Sequence, residues 1–174
     1  MLVLLLAGCA KDNGTKEESS SQSISEEDGD LADSSTSEAS AENVDAQEIT
    51  EGGSLEIPVS ELSSTVKFYP VKADGVNMEV LAVKDSEGKI RTAFNTCQVC
   101  YGSGRGYYKQ SGDKLVCQNC GNQFTVNQVE VQSGGCNPWP IFDENKTVTD
   151  ETVSISYDYL KEATQIFANW KTDF

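Results

Sequence analysis

The chain contains no histidine. That absence removes His-ligated zinc, His-ligated haem, Ser-His-Asp triads and Cys-His nucleophiles together. No apolar run approaches the roughly 20 residues needed to cross a bilayer as a helix. Basic residues are scarce, with 13 Lys and Arg against 28 Asp and Glu and a net charge of −15. They form no patch, so nucleic acid is not an expected partner. Nothing resembles an acid–base catalytic pair. What remains is thiol chemistry, carried by Cys9, Cys97, Cys100, Cys117, Cys120 and Cys136.

The 174 residues suffice for one domain with a core plus a tail. The charge is uneven. Residues 10–53 hold 13 acidic residues and two lysines, whereas residues 54–174 hold 15 acidic and 11 basic ones. The 10–53 segment is rich in Ser, Glu and Asp and poor in apolar residues. Such a composition cannot bury enough surface to offset ordering entropy, so it reads as a disordered acidic stalk. A coil of about 44 residues spans roughly 35–40 Å.

Ahead of the stalk, the apolar run Leu2 to Leu6 ends in Leu6-Ala7-Gly8-Cys9. This resembles a bacterial lipobox. The resemblance implies that residues 1–9 are a signal-peptide remnant, with cleavage before Cys9 and a diacylglycerol anchor on its sulfur. A signal peptide ordinarily opens with a positively charged region, which this segment does not show, so the reading frame is expected to begin short. The implied location is the extracytoplasmic face of the cell membrane.

Residues 54–174 read as the folded domain. Alternation predicts strands over 66–73, 78–84 and 90–94, with turns at Ala73-Asp74-Gly75-Val76-Asn77 and Asp85-Ser86-Glu87-Gly88-Lys89 between them. A hairpin follows from 106 to 117 around Ser111-Gly112-Asp113. Short strands are predicted at 123–126, 129–131 and 152–157. A closing helix is predicted from Tyr159 to about Lys171, capped by Asp158.

Cys97-Gln98-Val99-Cys100 and Cys117-Gln118-Asn119-Cys120 are two C-x-x-C units separated by 16 residues. In each, a tight turn brings two sulfurs onto one ion. Two such turns facing across a hairpin supply a tetrahedral set of four thiolates. Cys97, Cys100, Cys117 and Cys120 are therefore the candidate metal ligands. Cys136 is placed beside the cage, as a support or a possible extra ligand. Disulfide bridges, as are common in exported proteins, and a dithiol redox pair are the alternatives. Tyr107, Tyr108, Phe124 and Trp139 are expected to wall the site from water.

The segment Asn95 to Ile141 resembles the FtrD-like family of membrane iron–sulfur proteins, in the DUF2318 group. The resemblance is carried by the first C-x-x-C, Gly106-Tyr107, Cys117-Gln118-Asn119-Cys120-Gly121 and Gly134-Gly135-Cys136-Asn137-Pro138. It implies an iron–sulfur cofactor, electron transfer and an association with ferrous-iron transport. The implied partner is a transporter permease or a redox protein. A more distant resemblance is to Rieske domains. It implies an all-β antiparallel sandwich or barrel with a Cys-knuckle hairpin subdomain, to which the short C-terminal helix is added. Cys100 and Cys120 stand where those domains carry histidine, and the first loop is one residue longer. Two thiolates in place of two imidazoles add negative charge beside the iron, which implies a low potential. All-cysteine two-iron clusters sit near about −400 mV, against roughly −150 to +300 mV for Rieske centres.

A four-cysteine cage is equally that of structural Zn2+. Zinc would make the domain a stapled partner-binding module without redox activity, and metal delivery is a third class. Export favours zinc, because a chain threaded unfolded across a membrane cannot carry a finished cluster. The twin-arginine route would permit one. The family resemblance favours iron.

Overall fold

A computed structural model describes residues 45–172. Cys9 and most of the acidic stalk lie outside the described residues. Eleven strands are present among those described, with one short α-helix: β1 Gln47–Ile49, β2 Ser54–Pro58, β3 Lys67–Ala73, β4 Val76–Lys84, β5 Ile90–Cys97, β6 Tyr108–Ser111, β7 Lys114–Cys117, β8 Gln123–Thr125, β9 Pro138–Pro140, β10 Thr147–Val148, β11 Thr152–Ser156 and α1 Tyr157–Glu162. The domain is mostly β-sheet.

Three sheets form. The largest has the order β1-β3-β4-β5-β9; a second has β10-β11-β2, and the third has β6-β7-β8. All pairings are antiparallel except β1 with β3, which is parallel. The β3–β4 hairpin turns at Asp74 and Gly75, both at positive φ (48° and 79°). That geometry matches the twist of two-residue hairpins, and a short Asp tolerates it.

β4 is buried from Met78 to Val83. Its period of two sends alternate side chains to opposite faces of the sheet. Met78, Val80 and Ala82 join one apolar cluster with β2, β11 and the C-terminal segment. Leu81 and Val83 join the other, together with Tyr108, Leu115, Phe124, Cys97, Cys100 and Cys117. The same alternation along β5 sends Phe94 to the first cluster, and Ala93 and Cys97 to the second. The knuckle hairpin thus packs on one face of the central sheet, and Cys97, Cys100 and Cys117 belong to the core between them.

Several elements differ from the sequence reading. Ordered strand begins at Gln47, inside the range assigned to the stalk, because Ile49 is buried and β1 pairs with β3. Residues 129–131 form no strand. A 3-10 turn, Val126–Gln128, precedes them, closed by a Thr125–Gln128 capping box, and Glu130 sits at φ 65°. β9 is an additional edge strand, a position that suits its two prolines, which offer no N–H to a further neighbour. The helix starts at Tyr157 with Ser156 as its cap, whose side chain accepts from the Tyr159 amide. It ends at Glu162 and gives way to a 3-10 turn, Ala163–Phe167.

Candidate metal centre

The first knuckle closes at the end of β5. The Cys97 amide donates to the Gly106 carbonyl at 2.6 Å, which folds the chain back over the knuckle. Gly106 is required by close approach, since a Cβ there would lie 2.3 Å from the Cys100 carbonyl oxygen. The second knuckle leaves β7, with the Gly121 amide donating to the Cys117 carbonyl. The two turns repeat one electrostatic device. The amides of Val99 and Cys100 point at the Cys97 sulfur, and those of Asn119 and Cys120 at the Cys117 sulfur. Amides aimed this way stabilise thiolate.

Cys136 arrives from a distance. The Gln98 amide N–H donates to the Asn137 carbonyl at 3.0 Å. The Gln98 side chain grips both ends of the same loop: its oxygen accepts from the Gly134 amide at 2.8 Å, and its nitrogen donates to the Pro138 carbonyl at 3.1 Å. The Cys136 carbonyl in turn accepts from the Tyr108 hydroxyl (2.8 Å) and from Asn122 (3.2 Å). Tyr108 is itself seated by Asn95, whose side-chain oxygen accepts from the Tyr108 amide at 2.7 Å. Asn95 donates onward to buried Glu79, which pairs with Lys171 at 2.6 Å.

Five sulfurs therefore converge. Cys136 Sγ lies 2.8 Å from Cys120 Sγ, 3.1 Å from Cys97 Sγ and 3.9 Å from Cys100 Sγ. The Sγ atoms of Cys97, Cys100, Cys117 and Cys136 all lie within 4.8 Å of one another. Cys97, Cys100 and Cys117 are buried, Cys136 is half-buried and Cys120 is exposed. All five are free thiols, so neither knuckle closes on itself as a bridge. The sequence placed Cys120 among the inner ligands and Cys136 beside them; in the structure Cys136 sits among the inner sulfurs and Cys120 at the mouth.

Burial pushes the Cys117 thiol up to about 12 and raises Cys100 and Cys136 as well. At Cys97 burial also acts upward, but the neighbouring Tyr108 hydroxyl and Cys136 sulfur and the backbone amides aimed at it outweigh burial and hold the thiol below its usual range. The hydrogen bond shared with Cys136 lowers Cys120 to about 7, aided by the Asn122 amide. The surrounding sequence favours negative charge at the sulfurs: residues 88–142 hold five basic and only two acidic residues, in a chain of net charge −15. One of the two acids, Glu130, is neutralised by Lys146 at 2.6 Å.

Tyr108 and Phe124 share the apolar cluster of the cysteines, as a wall against water would. Trp139 instead packs on the opposite cluster and meets Tyr101 edge-on at 6.1 Å. Tyr107 faces Lys171. Asn95, Gln98 and Asn122 are site-building residues that the sequence reading did not single out; a long amide inside a C-x-x-C was the available signal for Gln98.

The donor set is all thiol, with no histidine and no carboxylate among the converging groups. Such a set fits an iron–sulfur cluster or a thiophilic ion. The sulfur spacings bracket the edge of a tetrahedron with metal–sulfur bonds of about 2.3 Å, roughly 3.8 Å. Fold and site together define a small β-domain built around a thiol-lined cage whose sulfurs could hold a metal. Residues 62–167 match the FtrD-like family, described as membrane iron-sulfur containing proteins, and the chain belongs to that family. No curated protein and no solved structure matches it. Among the described residues, no helix is long and apolar enough to cross a membrane.

Proposed function

We propose that the domain is an electron carrier with an iron–sulfur centre, tethered through lipid on Cys9 to the extracytoplasmic face of the cell membrane, where it serves a metal-transport permease or a redox protein beside it. The observation that carries this reading is the convergence of five free thiols, three of them buried, within one polar-clamped cage. Family membership supports iron. The knuckle hairpin lies between β5 and β9. We read that insertion as a Rieske-like layout.

Cys97, Cys100 and Cys117 would hold the group. The fourth position falls to Cys136 on sulfur spacing, or to Cys120 as the second half of its knuckle. Such a centre, when bound, accepts and returns one electron. The chain's own residues keep water out through Tyr108, Leu115 and Phe124, hold the thiolates with backbone amides, and limit acidic charge nearby. Because a thiolate-only set is electron-rich, the potential should lie near about −400 mV rather than in the Rieske range. Anaerobic purification with iron and sulfide analysis, followed by a visible redox titration, tests this reading. A colourless protein without iron, or a positive midpoint, overturns it.

A second reading has one specific support. The four inner sulfurs all lie within 4.8 Å of one another, close enough to share a single ion, so Zn2+ in a stapled module fits the cage after small shifts of the sulfurs. Stoichiometric zinc in the purified protein would establish that reading instead.

A further inference from the structure

Among the described residues, four large apolar side chains are exposed: Val99 (64%), Tyr101 (40%), Val131 (57%) and Val148 (47%). Three of the four stand in the segments that carry the cage. Val99 lies inside the first knuckle, Tyr101 directly follows it, and Val131 opens the loop that leads to Cys136. Those segments are also nearly free of charge. Residues 95–108, 115–122 and 131–142 hold the five cage cysteines and a single charged residue, Arg105, although 24% of the chain is charged.

Contacts draw the three segments together. Gln98 bonds the 134–138 loop to the first knuckle. Tyr101 meets Trp139 of the same loop edge-on at 6.1 Å. The exposed Arg105 guanidinium donates to the Gln118 carbonyl of the second knuckle at 3.3 Å. Cys120, the exposed sulfur, lies where they meet, 2.8 Å from Cys136. Apolar residues scattered over a surface carry no meaning. Segments that gather them and shed charge have the composition of an interface core, in which aromatic residues and Arg are kept.

We propose that this face is the docking surface for a partner protein, which meets it with apolar side chains and places a carboxylate on Arg105. The inference rests on reading the domain as a carrier that serves a neighbouring protein, and adds where that protein binds and what recognises it. Gln118 uses one of the guanidinium N–H groups, which leaves donors for a bidentate carboxylate. A membrane surface fits less well. Anionic headgroups recruit clusters of Lys and Arg, and these segments hold one cation in a chain of net charge −15. A second copy also fits less well. A two-fold interface must complement itself, and the three segments contain no carboxylate to receive Arg105.

Photo-crosslinking in intact cells tests the surface, using the full chain with benzoylphenylalanine in place of Val99, Tyr101, Val131 or Val148. The first three positions should each give an adduct with the same polypeptide, identified by mass spectrometry. Position 148 is comparably exposed but lies on β10, and should give none. Arg105→Glu should cut the adduct yield by about tenfold, since like charges would then face each other. Circular dichroism checks that this variant is folded. Adducts with lipid alone, adducts only between copies of this chain, equal adducts from position 148 or no adduct at all overturn the proposal. So does a yield indifferent to Arg105→Glu. Iron analysis of the parent chain keeps the two readings apart: an iron-free chain that still gives the Arg105-dependent adduct overturns the electron carrier and leaves the interface standing.

Discussion

The side chain of Gln98 holds Gly134, 36 residues away, through a 2.8 Å hydrogen bond, and thereby fixes the loop that carries Cys136. A residue inside one knuckle thus positions a sulfur that belongs to neither. Gln98→Ala should leave the fold intact and lower metal affinity by about 10- to 100-fold, the range for residues that orient ligands. Metal titration with circular dichroism as the folding check measures this; unchanged affinity would show that the loop is held by other contacts.

The fourth ligand can be read from colour. Cys117→Ser should abolish any chromophore. If Cys136 completes the inner set, Cys136→Ser abolishes it too and Cys120→Ser retains it at equilibrium. Visible spectra of the three variants, reconstituted side by side, decide the matter. Retention in Cys136→Ser with loss in Cys120→Ser would return the fourth position to Cys120.

Gly106→Ala should disrupt the first knuckle. The added Cβ meets backbone rather than a flexible side chain, so the Cys97–Cys100 turn must shift. Overpacking of this kind costs about 1–3 kcal/mol. Thermal unfolding should show that loss together with weaker metal binding, whereas a variant with parental affinity would mean the knuckle tolerates the shift.

Lys146 and Glu130 form a buried pair in which Glu130 also accepts from the Thr92 amide at 2.9 Å, and Lys146 donates to the Ile141 carbonyl at 3.0 Å. Lys146→Met strands the carboxylate and should cost about 3–5 kcal/mol. Chemical denaturation of the variant measures this, and a change below about 1 kcal/mol, the value of an exposed pair, would contradict it.

Asp85 organises the turn between β4 and β5. Its carboxylate accepts from the amides of Glu87 (2.9 Å) and Lys89 (2.8 Å) and from Arg91 Nε (2.9 Å). Burial opposes the charge, but these donors outweigh it and hold the carboxyl below its ordinary range. A carboxyl depressed in the folded state contributes stability above its unfolded pKa and loses it as pH falls through the folded value. Asp85→Ala should therefore be about 1–3 kcal/mol less stable at neutral pH. The gap should close as the medium is acidified below the carboxylate range. Parallel melts across pH reveal it, and a gap that stays constant would exclude the ionic contribution.

Much of the domain was legible because its signals are local. Asp74-Gly75 and Gly112-Asp113 are turn chemistry, and the flanking alternation places β3 to β7 to within about three residues. Two of the departures rest on contacts distant in sequence and one on a local cap. Val129-Glu130-Val131 alternates as a strand does, yet Glu130 is drawn inward by Lys146, a contact that no pattern in the segment announces. Asp158 looks like a cap, but Ser156 ends β11 and is the residue whose hydroxyl meets a free amide. The acidic composition of 45–53 conceals Ile49, which a short strand beside β3 buries.

By itself, the amino-acid order determined which donor groups are present. With no histidine and two C-x-x-C turns, each closed within four residues, thiol chemistry and a candidate set of soft ligands followed from composition and spacing alone. Only the tertiary structure decided which sulfurs stand inside and which at the mouth. Cys136 reaches Cys97 across 39 residues of sequence because β9 pairs with β5 and Gln98 clamps the loop ahead of it. Contacts at that separation depend on how sheets pack, and the residues near Cys136 do not encode them.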